Sequence, residues 1–94
     1  MHRNGTELTV AVDGRLNTLT VPDLEKELQT SMDGVEKLKF DFEKLEYISS
    51  AGLRLLLSTM QAMEDKGEMS LCNVRPEIME VFEMTGFIED LTIE

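Results

Sequence analysis

This sequence carries few of the residues on which chemistry usually depends. It has one histidine, one cysteine and no tryptophan. A lone Cys72 closes no disulfide within the chain, and Cys72 with His2 gives too few donors for a zinc cluster. His2 sits at the N-terminal end, where chains fray, so a Ser-His-Asp or Cys-His site would have a poorly placed base. Bases are scarce too: 9 Lys and Arg stand against 19 Asp and Glu, a formal net charge of −10. Nucleic-acid binding needs clustered cations to neutralise phosphates, and this balance argues against it. No apolar run approaches the roughly 20 residues that span a bilayer. Met1 to Gly5 lacks the apolar stretch of a signal peptide. Neither a Gly-x-Gly-x-x-Gly nor a P-loop pattern occurs, so nothing points to a nucleotide pocket. The expectation is a cytoplasmic domain with no catalytic residues, no metal site and no cofactor.

What the chain does have is the makeup of a small folded unit. Its 94 residues are 41% hydrophobic and 30% charged, which suits one globular domain over residues 1–94. A chain of this size buries about 60–65% of its unfolded surface, enough for one modest core. Thr6 to Asp13 reads as a strand, with Asn4-Gly5 before it as a hairpin signal. Thr20 reads as a helix N-cap, Pro22 and Asp23 suit the first turn, and Val21, Leu24, Leu28 and Met32 form an apolar stripe. From Lys37 to Phe42, Leu38, Phe40 and Phe42 alternate with polar residues at strand period, and Leu45, Tyr47 and Ile48 extend that pattern after Glu43-Lys44. Leu53, Leu56, Leu57, Met60 and Met63 define a second helix that ends at Lys66-Gly67. Met69 to Val74 is another strand, with Cys72 as a small buried hydrophobe in it. A helix from Pro76 to Thr85-Gly86 follows, then a short strand at Leu91 to Ile93. This β-α-β-α-β-α-β order implies an α/β fold with a largely parallel sheet.

One junction stands out. Leu45 to Leu53 joins a strand to the second helix, and Ser49 and Ser50 fall at the helix start. A helix N-terminus offers unpaired N–H groups and partial positive charge. A serine there is either a plain cap, worth about 1 kcal/mol, or a place that tolerates a phosphate. Gly52 leaves the first turn bare, which would let a partner approach the backbone. Leu55 lies off the inward stripe and is expected as an exposed contact residue beside Ser50. Most of the methionines and acids are expected to be core filling and solvated faces.

The segment Asp41-Phe42-Glu43-Lys44-Leu45-Glu46-Tyr47-Ile48-Ser49-Ser50-Ala51-Gly52-Leu53 resembles the signature of the STAS domain family, the fold shared by anti-sigma factor antagonists and sulfate-transporter tails. Gly14-Arg15-Leu16-Asn17 is similar to the family's Gly-x-Leu-Asp, and Val74-Arg75-Pro76-Glu77 through Thr85-Gly86-Phe87 to its C-terminal pattern. The resemblance implies a single STAS-type domain, with a four- to five-stranded mixed, mostly parallel sheet and three to four helices. It implies an anti-sigma factor antagonist that binds an anti-sigma factor acting as a serine kinase. Phosphorylation would end that interaction and a phosphatase would reset it. Anchored on Gly52-Leu53, the phosphorylated residue is Ser50, with Ser49 the second choice. The implied partner surface comprises Asn17, Ser49, Ser50, Ala51, Gly52, Arg54 and Leu55, on a monomer or weak dimer.

This chain also departs from the family pattern. Ser49 and Asn17 stand where the family has Asp, Ala51 where it has a second Ser, and Arg54 where relatives have a small residue. The alternative is a non-phosphorylated STAS interaction module in a larger signalling or transporter-associated assembly.

Overall fold

The computed structural model describes residues 1–94. Asn4 and Glu7 close a two-residue hairpin around Gly5, so β1 (His2–Asn4) runs antiparallel to β2 (Glu7–Ala11). A short β3 (Gly14–Leu16) and α1 (Val21–Ser31) follow. Next come β4 (Lys37–Asp41), β5 (Leu45–Ile48) and α2 (Ser50–Met63). The chain continues through β6 (Glu68–Cys72) and α3 (Pro76–Thr85) to a 3-10 turn at Phe87–Glu89. β1-β2-β4-β6 form a four-stranded sheet whose β2–β4 and β4–β6 pairs are parallel. β3 and β5 form a separate parallel pair. The α/β class and the mixed, mostly parallel sheet with three helices match the expectation.

Strand alternation places Leu8, Val10, Leu38, Phe40 and Leu71 in one buried cluster of 18 residues. α2 contributes Leu53, Leu55, Leu56 and Met63 to it, and α3 contributes Ile78 and Phe82. Burying that much apolar surface is the main favourable term for a chain this short. No helix is long and apolar enough to cross a membrane.

Several local readings need correction. Leu45 to Ile48 does not prolong β4. Asp41 Oδ1 accepts the Glu43 N–H at 3.0 Å, which turns the chain, and β5 then pairs with β3. β3 is only three residues long and has no strand pattern of its own. The final strand shrinks to a bridge between Leu71 and Ile93, held by Leu71 N–H to Thr92 O at 2.9 Å and Glu94 N–H to Leu71 O at 2.8 Å. Cys72 is half-buried, and that burial pushes its thiol pKa up, away from thiolate chemistry.

Candidate functional site

The ends of β3 and β5 meet the start of α2. The Ser49 N–H donates to the Leu16 carbonyl at 2.9 Å, so the β3–β5 ladder runs straight into the helix. Gly52 is buried against the same point. A Cβ there would lie 2.7 Å from Ile48 Cγ1, 2.9 Å from Leu16 O and 3.0 Å from Leu16 Cγ. Its bareness therefore serves internal packing. The expectation that Gly52 opens the backbone to a partner is corrected: strand and helix need that space themselves.

The two serines differ sharply. Ser50, the first residue of α2, is exposed. Ser49 occupies the N-cap position, yet its side chain caps nothing, and its Oγ is buried with no hydrogen-bond partner. The cap reading thus fails for Ser49. The orphan N–H groups of the first helical turn lack a side-chain acceptor, and no acid occupies that turn.

Asn17 follows directly on Leu16, which places it at this junction. Its Oδ1 accepts the N–H groups of Leu19 at 3.0 Å and Thr20 at 3.2 Å. Thr20 Oγ1 donates to the Arg15 carbonyl at 2.8 Å and accepts the Asn17 N–H at 2.9 Å. Thr20 was expected to cap α1 with its side chain, but it braces the preceding loop instead. The braced loop presents Leu19 at 85% exposure.

Ala51 and Arg54 line a shallow groove between α1 and α2 with Val21, Glu25 and Ser58. Arg54 is exposed and Ala51 half-buried. Leu55 is only 5% exposed, which corrects the expectation of an exposed contact leucine. α2 is covered from two directions, by the sheet side and by α1, so its buried arc is wider than the single stripe in the sequence suggests. Leu55 faces α1, beside Leu28 and Met32. Tyr47 is 48% exposed, with the Arg15 guanidinium 5.7 Å from its ring centroid.

Sequence reasoning missed Arg15 and Leu19. Arg15 had a signal in its own motif, one residue before Leu16. Leu19 had none beyond being an apolar residue between two threonines. No group of three or more His, Cys, Asp or Glu side chains gathers into a metal-binding arrangement.

Relatives and solved structures agree with this geometry. An anti-sigma factor antagonist of Bordetella bronchiseptica, BtrV, is 40% identical over 83 residues, covering 86% of this chain and 72% of its own length. The anti-sigma-B factor antagonist of Staphylococcus aureus is 36% identical over 85 residues, covering 87% of this chain and 77% of its own length. The structure of the anti-sigma factor antagonist SpoIIAA in its unphosphorylated form superposes with a TM-score of 0.85 at 22% identity, covering 100% of this chain and 84% of that one. At that identity the likeness is one of fold. The family model described as the STAS domain matches residues 1–94, and the chain belongs to the STAS domain family.

Proposed function

We propose that this chain is an anti-sigma factor antagonist that binds an anti-sigma factor with serine-kinase activity and is released when Ser50 is phosphorylated. It would act as a binding module in the cytoplasm, with the kinase and a resetting phosphatase supplying the chemistry. The names of its relatives support the antagonist role. One observation carries the choice of residue: of two adjacent hydroxyls, Ser50 is exposed while Ser49 Oγ is buried. A kinase has to reach the oxygen it modifies, so Ser50 is favoured. Asn17, Ser49, Ala51 and Arg54 would surround Ser50 on the partner face, with Gly52 and Leu55 supporting it from below.

A phosphate on Ser50 would add about −1.5 to −2 charges at a helix end that favours anions, so the fold would survive. The penalty would fall on the interface instead. About 2–3 kcal/mol weakens binding roughly 30- to 150-fold.

The test is incubation with ATP and an anti-sigma serine kinase from the same genome, followed by intact-mass and peptide mapping. One phosphate on Ser50 is expected, with Ser50→Ala unmodified but still bound. A bound yet unmodified wild type would favour the non-phosphorylated module, to which the missing carboxylates at Asn17 and Ser49 already lean.

A further inference from the structure

β6 is an edge strand of the four-stranded sheet, and its backbone groups alternate in direction. The Glu68 N–H donates to the Glu36 carbonyl at 2.9 Å, and the Cys72 carbonyl accepts the Phe42 N–H at 3.0 Å. The even-numbered residues of β6 therefore turn toward β4, and the odd-numbered ones turn outward. Leu71 spends both of its outward groups on the C-terminal residues. Its N–H donates to Thr92 O at 2.9 Å, and its carbonyl accepts the Glu94 N–H at 2.8 Å. Met69 faces the same way, but the pairing outside β6 stops at the Leu71–Ile93 bridge. The chain does not reach back to cover Met69, because the Leu91 N–H is tied to the Phe87 carbonyl at 3.1 Å. Met69 thus leaves one N–H and one carbonyl at an open sheet edge.

That edge opens into a groove of about 390 Å³. Residues 67–71 form one wall along the strand, and Met60, Met63 and Glu64 at the end of α2 form another. Met60 and Met69 are half-buried, and their flexible thioethers suit an irregular neighbour. The rim is unbalanced in charge. Glu94 is spent on Lys39 at 3.0 Å, but Glu64, Glu68 and Asp90 form no ion pair, and Lys37 is the one base beside them.

We propose that the β6 edge takes up an extended, lysine- or arginine-bearing segment of a partner protein as a short added strand. Main-chain bonds to Met69 hold the segment, an apolar side chain enters the groove against Met60 and Met69, and its cations meet Glu64, Glu68 and Asp90. In this mode of recognition the main chain supplies affinity and alternate side chains supply specificity. The unspent carboxylates select a basic segment over an acidic one, and a second copy of a chain of net charge −10 is disfavoured. The edge lies at the far end of α2 from Ser50, about 20 Å along the helix axis. A protein held there leaves the serine junction open, so the chain can carry two partners at once. The inference stands apart from the antagonist reading and goes beyond it.

The test is titration of the isotope-labelled protein with an acetylated hexapeptide of alternating lysine and valine, read by amide NMR and hydrogen exchange. Binding is expected to shift the Gly67 and Met69 amide resonances and to slow exchange of the Met69 N–H. The same peptide N-methylated at alternate residues keeps its charge and loses main-chain donors, and is expected to bind at least about tenfold more weakly. Glu64→Gln combined with Glu68→Gln is expected to weaken the lysine-valine peptide by about threefold to tenfold. Glu43→Gln, which lies on a different groove, leaves its affinity unchanged. Circular dichroism checks that the variants fold. Equal binding of the methylated peptide means that charge alone is at work and overturns strand addition. Equal binding of a glutamate-valine peptide overturns the basic partner. No shift at Gly67 or Met69 with the lysine-valine peptide overturns the site itself, and none of these results bears on Ser50.

Discussion

The two ends of α2 are opposites. At its N-terminal end lie Ser50, Arg54 and the braced Leu19 loop, with no acid in the first turn. Near its C-terminal end a groove of about 390 Å³ is lined by Glu64, Glu68, Asp90 and Glu94, with Lys37 the lone base. The acidic end has the larger hollow, and there the Glu94 carboxylate reaches the Lys39 ammonium at 3.0 Å. The N-terminal end has only a shallow groove, but it holds the exposed Ser50 hydroxyl and the exposed Arg54, which forms no ion pair. A hollow marks space; under the proposed function, recognition would depend on which end offers a partner unsatisfied chemistry.

The contrast can be broken most decisively at Ser50. Ser50→Asp is expected to weaken anti-sigma binding by roughly 30- to 150-fold, read by calorimetry. An equal loss on removing charge from the acidic groove would erase the difference between the ends. Gly52→Ala comes next. Its new Cβ would press on Ile48 and the Leu16 carbonyl, and overpacking of this kind costs about 1–3 kcal/mol in urea unfolding. Asn17→Ala removes the acceptor of two loop N–H groups and should cost about 1 kcal/mol, with a matching fall in affinity as Leu19 loses its support.

Ser49→Ala should be nearly silent, within about 0.5 kcal/mol, because its buried hydroxyl bonds to nothing. An N-cap serine that did cap would lose about twice that. The smallest effect belongs to the acidic end. The Lys39 hydrogen bond holds the Glu94 carboxyl below its ordinary value, and Glu94 holds the Lys39 ammonium above its own. The carboxylate's contribution is present above its unfolded pKa and fades as pH falls through the depressed one. The ammonium's is present below its unfolded pKa and fades as pH rises through the raised one. Thermal unfolding of Glu94→Gln should therefore differ from wild type only slightly, most at neutral pH and low salt, since Glu94 is exposed and Lys39 only half-buried.

Legibility in the sequence followed the range of the interaction. Leu38 and Phe40 announced β4 because strand alternation is written in neighbouring residues. Pro76 and Gly86 bracketed α3 for the same reason, one opening the helix and the other capping it in the left-handed region. Leu55 was misread because a helix pattern reports one buried stripe and is silent about a second neighbour such as α1. β3 was missed because three residues become a strand only when β5 arrives to pair with them.

The site divides along the same line. Composition left no second cysteine for a disulfide within the chain and too few Cys and His donors for a zinc cluster, and local patterning placed two serines at the start of a helix. Those are properties of residues and of near neighbours, which the order of the chain already holds. The family pattern anchored on Gly52-Leu53 favoured Ser50 over Ser49, but nothing in that order shows which oxygen reaches solvent. Packing did so, by turning one hydroxyl into the protein and leaving the other in solvent. Nor does the order of residues show that the end of β3 and the start of α2 meet. The Leu16–Gly52 contact joins them, and that contact exists because a glycine leaves room where a strand end and a helix start converge.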